Sequence, residues 1–146
     1  MIAGVLAARG CSALVFHGDD GLDELTTTAP STVWVVHHGT VSQTTLDPAD
    51  LGISRSSPAD LRGGDPAHNA EVARAVLAGE PGPVRETVLL NAAAALAAEA
   101  DVPGPDQLPA ALAEGCARAA NAVDSGAAQA LLERWVEASR QLAAER

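Results

Sequence analysis

Ser12-Ala13-Leu14-Val15-Phe16-His17 runs straight into Gly18-Asp19-Asp20-Gly21-Leu22-Asp23-Glu24. The first half is an apolar run that closely follows Gly10. It reads as a strand buried on both faces, the kind found in parallel sheets. Such a strand needs parallel neighbours, and no second run like it follows, so an exposed edge is expected. The second half is a tight acidic loop at the strand's C-terminal end, where open α/β folds bind ligands.

Outward from this stretch, Ile2, Val5 and Leu6 have helical spacing, and Arg9-Gly10 ends their helix. Met1 is a poor N-cap, so the chain starts as though already inside that helix. On the other side, Thr26, Thr27, Thr28 and Pro30 continue the loop. Thr32 to His37 is rich in β-branched residues, His38-Gly39 is a turn, and Val41 to Leu46 returns, stopping at Asp47-Pro48. That pattern predicts a β-hairpin. Asp50 to Gly64 reads as loop.

Four helices are expected after it. Asp65 caps the first, with Pro66 at its first position; Ala70, Ala73, Val76 and Leu77 face inward and Gly79 ends it. The second opens at Gly82-Pro83 and turns Val84, Val88, Ala92, Ala95 and Leu96 inward. The third starts near Asp106, with Leu108, Leu112, Cys116, Ala119 and Val123 on one face. The fourth starts near Ser125 and presents Leu131, Leu132, Trp135, Val136 and Leu142. The expected class is therefore α/β: one parallel-type strand, a β-hairpin and four C-terminal helices.

A chain of 146 residues fits one domain. Hydrophobic residues make up 47% and aromatics 2%, only Phe16, Trp34 and Trp135. Small aliphatics must fill the core, which favours closely approaching helices. The net charge is −10, and all nine basic residues are Arg. Such acidity repels nucleic acid and anionic membrane, and neither is an expected partner. Cys11 and Cys116 make no disulfide framework and read as small hydrophobes. With no signal-peptide pattern and no apolar run of membrane-spanning length, a cytoplasmic protein is expected.

Four carboxylates, Asp19, Asp20, Asp23 and Glu24, fall within six residues. Clustered like charges cost free energy unless a cation or open solvent relieves them. Hard oxygen ligands suit Mg²⁺, which is usually shared with substrate phosphates. A calcium loop does not fit, because Glu24 stands where that motif needs Gly. Spacing alone leaves two readings, a Mg²⁺ site and a solvated acidic turn. His17 ends the strand beside the loop, placed to orient a carboxylate or a substrate hydroxyl. His37 and His38 sit at the hairpin turn, where neighbouring strand residues point to opposite faces. A structural or surface role is the simpler reading for each, as for His68. Gly63-Gly64 before a helix is an anion-binding pattern, but Asp65 at the cap takes the cap hydrogen bond itself. Neither cysteine has zinc spacing or an electropositive setting.

His17-Gly18 through Asp23-Glu24-Leu25-Thr26 resembles the C-terminal part of the anthranilate phosphoribosyltransferase family. Leu61-Arg62-Gly63-Gly64-Asp65 with Asn69-Ala70 is similar to its Gly-Gly-Asp helix entry. Leu77 with Gly79, Gly82 and Arg85 resembles the next link. Val88-Leu89-Leu90-Asn91-Ala92-Ala93-Ala94 resembles its signature helix, and Asp124-Ser125-Gly126-Ala127-Ala128 its last helix junction. The order and spacing of these motifs cover essentially all 146 residues.

The resemblance implies a glycosyl transferase-type (phosphoribosyltransferase) α/β domain, of which residues 1–146 are the C-terminal part. The implied activity is Mg²⁺-assisted transfer of 5-phosphoribosyl from phosphoribosyl pyrophosphate to the amine of anthranilate, in tryptophan biosynthesis. It implies Asp23 and Glu24 as the residues that hold Mg²⁺ on the pyrophosphate. Asp19 and Asp20 stay loop residues. His68 stands where the family usually has Glu. The family's Gly-Thr-Gly-Gly-Asp phosphate loop, its Lys-His-Gly segment and its N-terminal helices, on which family homodimers largely rest, have no counterpart here. The isolated chain is thus expected to be inactive. The alternatives are a non-catalytic remnant or interaction module, and part of a related pyrimidine nucleoside phosphorylase.

Overall fold

In a computed structural model the described residues are 1–99 and 104–145. They form α1 (Ile2–Ala8), β1 (Ala13–Gly18), β2 (Ser31–His37), β3 (Thr40–Leu46), α2 (Pro66–Leu77), α3 (Pro83–Glu99), α4 (Leu108–Asp124) and α5 (Ala127–Ala144). Short 3₁₀ turns at Pro48–Leu51 and Pro105–Gln107 complete the described elements. The hairpin, the N-terminal helix and the four C-terminal helices are where the residue pattern puts them.

The strand over 12–17 differs from its reading. β1 is antiparallel to β2, with Leu14 opposite Val35 and Phe16 opposite Val33, and β2 is antiparallel to β3. The sheet order is β1-β2-β3. Nor is the strand fully buried: Ala13 to Phe16 are half-buried and His17 is exposed. The cause is that an apolar run reports helices on both faces of a strand, not the direction of its neighbours. Here both faces do meet helices. Leu14, Phe16, Val33, Val35 and Leu46 pack towards Leu90, Ala93 and Ala97 of α3 and Leu108 and Leu112 of α4. On the other face Ala13, Val15, Trp34 and Val36 meet Ala3, Leu6 and Ala7 of α1. β1 remains a sheet edge among the described residues.

Local chemistry sets the helix ends. The Asp65 carboxylate accepts the His68 N–H at 2.8 Å, so the cap is filled as expected. Gly79, at φ +86°, follows the end of α2. α4 buries Leu108, Leu112, Ala119 and Val123, with Cys116 half-buried among them.

The inward face of α3 also needs correction. Leu89, Leu90, Ala93, Ala94 and Ala97 are buried, whereas Val88 is exposed, as is Ala95. This helix is apolar almost all round, so the pattern carries little phase information. Tertiary contact with α4 chose the face.

Much apolar surface stays uncovered in the described residues. Leu131, Leu132, Trp135, Val136 and Leu142 of α5 are all exposed. A groove of about 790 Å³ opens between α2 and α3, with Leu61, Val72, Val76, Leu77, Val84 and Val88 in its walls.

Candidate functional site

The acidic loop leaves β1 at Gly18, whose N–H donates to the Leu22 carbonyl at 2.8 Å, while Gly21 N–H donates back to the Gly18 carbonyl at 3.0 Å. A side chain at Gly18 would collide with the Asp20 carboxylate and the Thr26 methyl, so the tight turn requires glycine there. Asp19 N–H reaches the Pro30 carbonyl at 2.9 Å and closes the base of the loop.

The four carboxylates divide into two pairs. Asp20 accepts from Leu22 N–H at 3.1 Å, from Thr26 Oγ1 at 2.8 Å, and from Thr28 Oγ1. Slight burial of Asp20 works against its charge. The hydrogen bonds from Thr28, Thr26 and Leu22 outweigh that and hold its carboxyl below the ordinary carboxylate range. Asp19 accepts from Thr32 Oγ1 at 3.1 Å. These two are consumed inside the loop. Asp23 and Glu24 are exposed and have no hydrogen-bond or ion-pair partner among the described residues.

Leu25, the next residue along, is bonded by a side chain 66 residues away. The Asn91 side chain on α3 takes both backbone groups of Leu25: its Oδ1 accepts Leu25 N–H at 3.0 Å and its Nδ2 donates to the Leu25 carbonyl at 2.8 Å. Nδ2 also donates to the Thr87 carbonyl at 3.0 Å. One turn earlier on the same helix, Thr87 Oγ1 lies 2.9 Å from Thr27 Oγ1, which also donates to Ser56 Oγ at 2.9 Å. Leu25, Thr26 and Thr27 are fully buried. A buried, doubly anchored segment thus follows directly on the two exposed carboxylates. The sequence reading had no place for Asn91 and Thr87 in the site. Their signal was present, as two polar residues at i and i+4, one before and one inside the apolar run 88–98.

The histidines fall elsewhere. His17 Nδ1 sits 3.0 Å from the carbonyl of its own neighbour Gly18, and the ring lies 5.6 Å from that of Trp34. It does not orient a loop carboxylate. His37 and His38 were expected to diverge, yet their rings are 3.8 Å apart. His38 has left the strand geometry for φ +47°, which swings its ring back. Among the described residues no three His, Cys, Asp or Glu gather into a metal-binding group. Both cysteines are free. Burial, together with the nearby Glu86 charge, pushes the Cys116 thiol up, away from nucleophilic use.

Relatives named anthranilate phosphoribosyltransferase include one from Thermobifida fusca, 60% identical over 96% of this chain and 40% of its own length. Another, from Nocardioides, is 59% identical over 95% of this chain and 40% of its own. The chain therefore spans about two-fifths of the length of the curated relatives it matches. A crystal structure of anthranilate phosphoribosyltransferase from Thermus thermophilus superposes with a TM-score of 0.78 at 36% identity, over 93% of this chain and 38% of that one. One from Saccharomyces cerevisiae with PRPP and Mg gives 0.73 at 22% identity, over 86% of this chain and 34% of that one, and so shares the fold. The description "Glycosyl transferase family, a/b domain" matches residues 1–129, and the chain belongs to that family.

Proposed function

We propose that this chain is the C-terminal part of an anthranilate phosphoribosyltransferase, and that Asp23 and Glu24 are its contribution to the phosphoribosyl pyrophosphate site. The observation that carries the reading is the one pair of carboxylates in the loop left without a partner, at the end of a strand, in a chain 54–60% identical to enzymes of that name.

The donor set fits Mg²⁺. This ion dehydrates reluctantly and is usually held by one or two carboxylates plus substrate phosphates, not by a closed protein cage. Two exposed carboxylates with no third ligand suit that arrangement. When bound, Mg²⁺ supplies positive charge to the departing pyrophosphate. The protein's own part is to keep Asp23 and Glu24 unpaired and in one place. Asp19 and Asp20 leave them so by taking the Thr26, Thr28 and Thr32 hydroxyls.

Transfer to the amine of anthranilate needs donor and acceptor held in register, an effect worth about 7–11 kcal/mol of barrier. These 146 residues contain no Gly-Thr-Gly-Gly-Asp motif and no Lys. The full reaction, its two substrates, and a cytoplasmic place in tryptophan biosynthesis therefore belong to the whole enzyme. Among the described residues no helix is long and apolar enough to cross a membrane.

A chimera tests the reading. The matched C-terminal two-fifths of the Thermobifida fusca enzyme is replaced by this chain, and phosphoribosyl transfer to anthranilate is assayed. Transfer is expected from the chimera and not from the 146 residues alone. A folded chimera without transfer would sink the proposal.

A further inference from the structure

We infer that Asn91 is a positioning residue for the Asp23–Glu24 cation site: by holding both backbone groups of Leu25 it fixes where the two carboxylates stand. The inference rests on the cation reading proposed above.

Asp23 and Glu24 are exposed and touch nothing that could orient them. Their placement must come from the backbone on either side. On the N-terminal side Asp20 ties Leu22 N–H to the Thr26 and Thr28 hydroxyls, all within the loop itself. That network shapes the loop but attaches it to nothing outside. Beyond it, Thr26 N–H donates to Ser31 Oγ at 3.3 Å and Ser56 N–H to the Thr27 carbonyl at 3.0 Å, but the backbone of Leu25 itself is held by Asn91. Its amide supplies the acceptor and the donor that a neighbouring strand would otherwise give to Leu25. Its third bond, to the Thr87 carbonyl, fixes the amide's rotation relative to α3. α3 is itself locked against α4 and the sheet through Leu90, Ala93 and Ala97. Among the described residues Asn91 is thus the one side chain that bonds the Leu25 backbone, next to the two carboxylates, to the core. Thr87, bonded to Thr27, grips the same segment two residues further on but meets only a side chain, so it does not set the Leu25 backbone.

The test follows two signals in the chimera described above, supplied with phosphoribosyl pyrophosphate, because an ion of this kind is held partly by substrate phosphate. One is hydrogen exchange at the Leu25 amide. The other is Mn²⁺ binding beyond that of phosphoribosyl pyrophosphate alone, with Mn²⁺ as a spectroscopic stand-in for Mg²⁺, read from loss of the free-ion paramagnetic resonance signal. In Asn91→Ala the Leu25 amide should lose its protection and Mn²⁺ affinity should fall about tenfold, the usual effect of removing a group that orients metal ligands. Amides in α4, such as that of Leu112, should stay protected. Asn91→Leu keeps the volume without the hydrogen bonds and should behave alike, which covers the case where the alanine variant fails to fold. A chimera with the unaltered 146 residues that binds no Mn²⁺ beyond phosphoribosyl pyrophosphate alone overturns the cation reading and this inference with it. Binding that survives unchanged in a folded Asn91→Ala or Asn91→Leu chimera overturns the inference alone.

Discussion

Gly115 of α4 lies directly on Ala93 of α3: a Cβ added at Gly115 would sit 2.8 Å from the Ala93 Cα and 2.9 Å from its carbonyl oxygen. Two helices approach this closely only where both lack bulk, and the alanine-rich, aromatic-poor composition supplies that condition. The contact matters for the site, because Ala93 is two residues from Asn91. Gly115→Ala should therefore destabilise the fold by about 1–3 kcal/mol, the usual cost of overpacking a filled core, despite alanine's better helix propensity. Denaturant unfolding checks it; an unchanged or raised midpoint would show that α4 can shift freely.

A second tie closes the helical layer. Arg85 at the start of α3 directs Nη2 at both carboxylate oxygens of Asp124, at 3.0 and 3.1 Å. The Arg85 side chain is 11% exposed and Asp124 is 55% exposed, and Nη1 is buried with no hydrogen-bond partner among the described residues. Removing the acid leaves a nearly buried cation uncompensated, although solvent reaching Asp124 softens the loss. Asp124→Ala should cost about 1–2 kcal/mol. Adding Arg85→Met should recover part of that loss in a double-mutant cycle. Additive losses would mean the pair is not coupled.

Some of this was legible in the residues alone. β-Branched content and a His-Gly turn specify the β2–β3 hairpin, and Asp65-Pro66 with Gly79 brackets α2, because caps and turns are local chemistry. The direction of β1 was not legible, since apolar residues on both faces say nothing about the polarity of the adjacent strand. Nor was the buried face of α3, where Leu, Val and Ala on every side of residues 88–98 leave the phase weakly marked. The acidic loop stood out as a candidate site from charge density. The clamp on Leu25 did not, because it joins residues 66 apart and depends on how α3 rotates against α4.

Acid should loosen the loop. The Asp20 carboxyl is held below its ordinary value, chiefly by the threonine hydroxyls working against slight burial. A lowered folded-state pKa gives stability that is present above the unfolded-state value, about 3.9. That stability disappears as pH falls through the folded-state value. The difference in unfolding free energy between wild type and Asp20→Asn should be constant near neutrality and shrink below about pH 4. Taking the difference removes the similar contribution of Asp60, whose carboxyl is lowered by the Ser57 N–H and hydroxyl. A difference that stays constant down to about pH 2 would detach Asp20 from the stability of the loop.

The carboxylate pair itself is tested in the chimera. Asp23→Asn with Glu24→Gln keeps shape and oxygen donors but removes two negative charges, and a hard cation is held chiefly by charge. Turnover should fall sharply, and the Mg²⁺ concentration for half-activity should rise. The control must remove negative charge from the same loop without disturbing it. Asp20 is unsuitable, since its carboxylate organises Leu22, Thr26 and Thr28. Among the described residues the Asp19 carboxylate makes a single bond, accepted from the Thr32 hydroxyl, and Asn retains an acceptor for it. If general acidity attracted the ion, Asp19→Asn would lose a proportionate share of Mg²⁺ affinity. If Asp23 and Glu24 are the ligands, Asp19→Asn should keep a near wild-type Mg²⁺ profile while the double variant loses it, with thermal stability similar in both. A wild-type Mg²⁺ profile in the Asp23/Glu24 variant would leave the loop a solvated acidic turn, because two ligands of the ion cannot both be neutralised without weakening its hold.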